Sequence, residues 1–259
     1  MPLNLAILIG INEYPNAINN LRGCINDVDN WDNLLTHKYN YSCIRILNHM
    51  ATKDYVEENL EEMVSEAEEY DNLVLQYSGH GTQIPCHNND EADGKSEAIC
   101  LYDDYLIDDE IEKILSKLKP NINLTIISDS CFSGNLTRDF QQIHEIDYSR
   151  AKNCQPHKLP VIHSVKKQKK MFKGFDDQEQ MNHILLSGCR ENETSADGCF
   201  NGIYEGAFSH YAMEVLKNNK NLTVGEFYEM LRVYLPNSLY YQHPQLECSS
   251  INKTKKIFV

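Results

Sequence analysis

Two short stretches carry residue types that could break a covalent bond. Leu124-Thr-Ile-Ile-Ser-Asp-Ser-Cys131-Phe-Ser-Gly134 begins as an apolar, β-branched run of strand length and then turns polar, leaving Cys131 just past the strand's end. Asn72-Leu-Val-Leu-Gln-Tyr77 is a strand of the same design, and Ser78-Gly79-His80-Gly81 follows it as a tight loop. A thiol becomes a useful nucleophile when a base takes its proton, and imidazole is a common base for that step. In open α/β sheets ligands bind beyond the carboxyl ends of the strands. If the two strands are parallel neighbours, His80 and Cys131 face each other across one sheet edge, where the thiol is expected to be exposed. Taken singly each has a plainer explanation, a glycine-loop turn for His80 and a core thiol for Cys131.

The elements that must position this pair follow from hydrophobic periodicity. Leu5-Ala-Ile-Leu-Ile9 is a first buried strand, and Val28, Trp31, Leu34 and Leu35 recur at helical spacing after Leu21-Arg-Gly-Cys24-Ile-Asn-Asp27. Asp27 is either an N-cap, worth about 1 kcal/mol, or an acid at the rim of the site. Cys43–Leu47 is a second strand, and Thr52 can cap the helix through Leu60 and Met63. The strand–helix–strand rhythm implies parallel pairing. Ile111, Ile114, Leu115 and Leu118 form a helix opened by Asp108, Asp109 and Glu110, acids that a helix dipole favours in any case. From about Leu136 to Met181 the pattern fails, and Lys166-Lys-Gln-Lys-Lys170-Met-Phe-Lys173 reads as an exposed linker. His183–Arg190 is another strand, followed by a polar turn, Glu193–Asp197. A helix begins at Gly206, Thr223 with Glu226 makes a capping box, and Gln242–Leu246 is extended by Pro244.

Composition narrows the class of partner. The 259 residues suffice for one α/β domain or two small ones. Lys plus Arg is 24 against 38 Asp plus Glu, a formal net charge of −14. That balance disfavours nucleic acid and fits a basic substrate or a cation, with a solvated acidic surface as the default. Nine cysteines without a CxxC pair point to a reducing compartment. With no basic leader and no apolar run of membrane length, the expected location is the cytoplasm. The polar stretch Cys86–Glu97, dense in oxygen ligands around Gly94, reads as a surface excursion or a hard-cation loop, without EF-hand spacing.

Tyr77-Ser-Gly-His80-Gly-Thr-Gln83 and Asp129-Ser-Cys131-Phe-Ser-Gly134 resemble the His and Cys motifs of the metacaspases, caspase-like cysteine peptidases. The resemblance extends to Leu21–Asp27, to Asp93–Ile99 with Ile107–Asp109, to Ser187–Asp197 and to Gln242–Leu246, nearly the whole chain in the family's order. It implies an α/β caspase-like three-layer sandwich, mostly parallel, with helices on both faces. Residues 1–259 are then one catalytic domain, with a larger segment at 1–137, a linker at 138–181 and a smaller segment at 182–259, and no prodomain ahead of it. The implied activity is cleavage of peptide bonds after Arg or Lys by a His80/Cys131 dyad, acting on protein or peptide substrates as a monomer. The resemblance puts the basic side chain against Cys24, Asp27, Ser78 and Asp129, and carboxylates suit a guanidinium's forked donors. It puts the oxyanion on the backbone amides of Gly81 and Cys131. Lys166, Lys167, Lys169, Lys170 and Lys173 become self-processing sites. Calcium, where the family uses it, falls on Asp108 and Asp109, but Ser96 and Arg138 stand where further acids are expected. Asp90, Asp93 or Asp139 would have to rebuild the site. No third member of the catalytic set is apparent.

Two other classes compete with the peptidase. A catalytically silent caspase-like signalling or scaffold module would be expected to have lost His80 or Cys131, and both are present. A thiol-rich protein gathering a soft metal on Cys24, His80 and Cys131 lacks structural zinc spacing.

Overall fold

The computed structural model describes residues 2–85, 95–131, 181–190, 193–219 and 221–259. In chain order the strands are β1 (Asn4–Gly10), β2 (Ser42–Leu47), β3 (Asn72–Ser78), β4 (Gly81–Pro85), β5 (Lys95–Cys100), β6 (Tyr105–Ile107), β7 (Asn123–Asp129), β8 (His183–Ser187), β9 (Asp197–Phe200), β10 (Ile203–Gly206) and β11 (Gln245–Glu247). The helices are α1 (Cys24–Tyr39), α2 (Lys53–Glu66), α3 (Asp108–Leu115), α4 (Ala207–Asn218), α5 (Val224–Tyr234) and α6 (Ser250–Thr254).

Six strands form one sheet in the order β11-β8-β7-β3-β1-β2, parallel except for β11, which runs antiparallel to β8. All seven residues of β3 are buried, its polar Asn72, Gln76 and Ser78 included, because helices cover both faces of the sheet at its centre. Alternation along β3 divides its side chains between two cores. Leu73, Leu75 and Tyr77 pack with Val56, Leu60 and Met63 of α2 and Ile111, Ile114 and Leu115 of α3. On the other face, Val74 joins Val28 and Trp31 of α1, Phe208 and Met213 of α4 and Phe227 of α5. Helices therefore cover both faces in three layers, as expected. From β1 the chain moves outward to β2 and then crosses back to β3 on β1's other side. The loops after β1 and β3 diverge there, which opens a crevice at the carboxyl end of the sheet.

Two readings of the polar stretches change. Lys95-Ser-Glu97 is not a surface excursion. It begins β5, which pairs antiparallel with β4 (Gln83 opposite Glu97, Ile84 opposite Ser96) and then with β6, and Ser96 and Glu97 are buried. Backbone pairing, blind to side-chain polarity, carries that ladder. The turn after β8 is likewise shorter than expected, because Asp197 already starts the β9–β10 hairpin. The Thr223–Glu226 capping box forms as expected: Thr223 Oγ1 accepts the Glu226 N–H at 3.2 Å, and the Glu226 carboxylate accepts the Thr223 N–H at 2.8 Å.

Burial lowers the His183 imidazole on β8 from 6.5 to about 4. In the unfolded chain this group takes up its proton near pH 6.5, and in the folded chain only near pH 4. Stability is therefore lost as pH falls through that window, by about 1.4 kcal/mol per unit. Denaturation midpoints measured from pH 7 to 4.5 are expected to fall less steeply in His183→Leu than in the wild type. Parallel slopes would contradict this.

Candidate active site

β3 and β7 are adjacent, with Ser78 opposite Asp129. His80 lies two residues beyond Ser78, and Cys131 two beyond Asp129, so the pair reaches one edge of the sheet together. The imidazole is fixed from three sides. Its backbone N–H donates to the Tyr14 hydroxyl at 2.9 Å, and the Tyr77 hydroxyl donates to its carbonyl at 2.6 Å. The Tyr14 ring lies 4.9 Å from the imidazole, centroid to centroid. Burial holds both phenols well above their ordinary range, so they remain protonated donors. Gly79 has to be glycine here, since a Cβ would lie 2.9 Å from the Tyr14 hydroxyl and closer still to Tyr77.

Nε2 of His80 is 2.6 Å from the Asn19 carbonyl. A carbonyl can only accept, which assigns the proton to Nε2 and leaves the lone pair on Nδ1. The Asn19 carbonyl thus fixes the orientation of the imidazole. Sequence reasoning could not find it, because the contribution is a backbone atom that any residue type supplies.

Cys131 differs from expectation in one respect: it has no exposed surface. Ser195 covers it, donating its N–H to Sγ at 2.6 Å, while the Ser195 carbonyl lies 3.4 Å from the same sulfur. A second thiol sits beside it. The Cys189 Sγ is 3.4 Å from the Ser130 carbonyl, and its hydrogen bond with Cys131, followed by burial, pushes it well above the ordinary thiol range. Cys189 is therefore a poor thiolate beside Cys131.

The two acids lie on one face of the sheet, both fully buried. Asp27 is not the N-cap, a position Gly23 holds with no side-chain bond. It stands within the first turn of α1, accepting the Ser78 hydroxyl at 2.5 Å and the Gly206 N–H at 2.7 Å. Asp129 accepts the Ser195 hydroxyl at 2.6 Å, the Ser209 hydroxyl at 2.8 Å and the Ser209 N–H at 3.0 Å. Cys24, also buried, opens α1, its N–H donating to Asn12 Oδ1 at 2.8 Å. Gln242 locks the covering segment: its amide N donates to the Gly188 carbonyl at 2.8 Å and to the Ser195 hydroxyl at 3.1 Å, and its Oε1 accepts the Ala196 N–H at 2.9 Å. Asp197 ties the same segment to α1, accepting the N–H groups of Arg22 and Gly23 at 2.8 Å each. Ser195, Ser209 and Gln242 were not foreseen as parts of the pocket.

Gly81 opens β4 opposite Ile99. The Cys100 N–H donates to the His80 carbonyl, so the antiparallel alternation turns the Gly81 N–H away from β5 and leaves it off the ladder.

Comparisons with known proteins identify the family. The model of the caspase domain matches residues 3–256. The chain belongs to the caspase-domain family. Its similar relatives are metacaspases: metacaspase-1 of Schizosaccharomyces pombe is 32% identical over 94% of this chain and 67% of the relative, and metacaspase-1B of Aspergillus fumigatus is 30% identical over 98% and 71%. Metacaspase-1 of Eremothecium gossypii is 30% identical over 94% of this chain and 63% of its own length, so the chain spans about two thirds of these curated relatives. A crystal structure of a Geobacter sulfurreducens protein shares the fold, with a TM-score of 0.74 and 23% identity over 100% of this chain and 99% of the other. Membership places the chain among the caspase-like cysteine peptidases.

Other positions that the metacaspase resemblance singles out are placed only in part. Asp108 and Asp109 open α3, and Asp108 is buried and accepts the Asp109 N–H at 3.1 Å. Among the described residues there is no group of three or more His, Cys, Asp or Glu placed to hold a metal ion. Asp90, Asp93, Arg138, Asp139 and the lysines at 166, 167, 169, 170 and 173 lie outside the described residues. No helix among the described residues is long and apolar enough to cross a membrane.

Proposed function

We propose that the protein is a cysteine endopeptidase that cuts after Arg or Lys. The observation that carries this reading is the pair of buried carboxylates beside the sheet edge that presents Cys131, Asp27 on α1 against Ser78 and Asp129 at the end of β7. The hydroxyls and amides they now accept are neutral donors, which a guanidinium or ammonium would replace or supplement with charge-assisted ones.

Catalysis begins when substrate displaces the Ser195 N–H from Sγ. The Cys131 thiol passes its proton to His80 Nδ1, and the sulfur adds to the scissile carbonyl carbon. The Asn19 carbonyl, on the far nitrogen, holds the imidazolium in place. The Gly81 and Cys131 amides take the oxyanion. His80 returns the proton to the leaving amine as the C–N bond breaks, and water, deprotonated by His80, then releases the acyl group from sulfur.

The same specificity makes the chain its own substrate. Intact mass is expected to reveal cuts at one or more of Lys166, Lys167, Lys169, Lys170 and Lys173, and none in Cys131→Ala. As for metals, Asp108 and Asp109 are the described acids that the resemblance offers to calcium, and the steps above use this chain's own residues alone. The calcium response of hydrolysis decides whether Asp108 and Asp109 serve a metal: a loss of more than about tenfold in chelator that Asp108→Asn reproduces in calcium supports them as ligands, and an unchanged rate in chelator speaks against it.

The test is hydrolysis of fluorogenic peptides ending in Arg, Lys or Asp, each with millimolar calcium or chelator. Cleavage after Arg and Lys but not Asp is expected. No cleavage of any peptide by folded protein would favour the silent signalling module.

A further inference from the structure

One buried polar side chain on the pocket's face has no role in the mechanism above. Gln76 is wholly inaccessible to solvent, and neither its Oε1 nor its Nε2 has a hydrogen-bond partner. It lies between Leu8 of β1 and Ile127 of β7 in register, two residues before Ser78. Strand alternation places Gln76 on the same face as Ser78 and Asp129, one pleat deeper. Above it on α1, Trp31 stands one turn after Asp27, wholly buried, its Nε1 donating to the Ser209 hydroxyl at 3.2 Å. Ser209 in turn donates to Asp129. Beneath the layer of Asp27, Ser78 and Asp129 there is thus a second layer, made of Trp31 and Gln76 between two aliphatic side chains.

An unsatisfied buried amide costs about as much as a lost hydrogen bond at each end, and methionine or leucine would fill a similar volume without that cost. Such a group in a native interior calls for an explanation. A ligand that enters from the layer above would supply one. Arginine and lysine differ in what they could offer at that depth. A guanidinium carries five N–H donors on a rigid plane and reaches further than an ammonium, which carries three on a single nitrogen. With Asp27 and Asp129 occupied by the upper edges of the plane, a remaining N–H points down, toward an acceptor such as Gln76 Oε1.

We propose that Gln76 is a specificity-determining residue at the floor of this pocket, where its amide accepts a guanidinium N–H and favours arginine over lysine before the scissile bond. This rests on the basic-pocket reading given above. A site built to hydrogen-bond a substrate group discriminates against a ligand that cannot make the bond, because the buried partner is then left unpaired.

The test is the ratio of kcat/KM for two peptides that differ only in a terminal Arg or Lys, measured in wild type, Gln76→Met and Gln76→Leu. Wild type is expected to prefer Arg, and the variants to lose about tenfold of that preference, mainly through the Arg substrate, while their melting temperatures stay level or rise. A merely structural amide would leave the ratio alone, whatever the melting temperature does. An unchanged ratio in folded variants overturns the proposal. If wild type cleaves neither peptide, the peptidase reading fails separately, and binding decides. Agmatine should raise the melting temperature of Cys131→Ala more than cadaverine does, and Gln76→Met should abolish the difference. Equal shifts, or no shift with either amine, overturn the assignment of Gln76.

Discussion

His80→Ala is expected to lower kcat/KM for a basic peptide by about 10²- to 10⁴-fold, the range that a positioned proton-transfer group supplies. The loss should fall on kcat, since no atom of the imidazole is assigned to the basic side chain of the substrate. The surrounding geometry argues for the upper part of that range. His80 is held through its backbone by Tyr14 and Tyr77 and through Nε2 by the Asn19 carbonyl. Orientation is therefore already provided in the folded chain, and a substituted neighbour cannot take over the role. Added imidazole should restore part of the rate in His80→Ala, because the space it vacates lies against the same carbonyl. A loss smaller than tenfold, measured under substrate saturation, would show that some other base serves Cys131.

The acids offer the second large effect and an internal control. Asp27→Asn keeps its neighbours: the new amide oxygen can still accept the Gly206 N–H, and its NH₂ can donate to the Ser78 hydroxyl, whose proton rotates away. Only the charge is lost. Charge-assisted bonds are worth about 1.5–3 kcal/mol, so kcat/KM for Arg and Lys peptides should drop by roughly 10- to 100-fold with little change in melting temperature. Asp129→Asn is different, because its two oxygens accept from Ser195, from the Ser209 hydroxyl and from the Ser209 N–H, and the last of these cannot turn. An amide NH₂ placed against that N–H leaves it unpaired in the interior, and one placed on the other side adds a second donor to the Ser195 hydroxyl, which already accepts from Gln242 Nε2 and loses the acceptor for its own proton. Asp129→Asn should therefore lose activity and also about 1–3 kcal/mol of stability. Equal melting temperatures for the two variants, or intact activity in Asp27→Asn, would refute the account of the pocket.

The main sheet was legible because its signal is local. Leu5–Ile9, Leu73–Tyr77 and Leu124–Ile127 are apolar runs of strand length, and the helices between them force parallel pairing. That alone sends His80 and Cys131 to one edge. The antiparallel β4–β5–β6 sheet was not legible, since Lys95-Ser-Glu97 pairs through backbone groups that composition does not report. The pocket divides in the same way. Asp27, Ser78 and Asp129 come from motifs near strand and helix ends, whereas Ser195, Ser209 and Gln242 reach Asp129 across separations of 66, 80 and, through Ser195, 47 residues. Asn19 acts through its carbonyl and leaves no trace in residue type. The covered state of Cys131 was also out of reach, because it depends on where the Ser195 backbone settles rather than on any property of the Cys131 stretch.

The most direct test of the central claim is covalent labelling, which needs no turnover. Folded protein is treated with peptidyl acyloxymethyl ketones ending in Arg, Lys or Asp, and the adduct is located by mass spectrometry of its fragments. The account predicts one equivalent on Cys131 from the Arg and Lys reagents, far slower labelling by the Asp reagent, and a marked slowing in Asp27→Asn. Labelling at another cysteine such as Cys189 or Cys24, or equal rates for all three reagents, would contradict it.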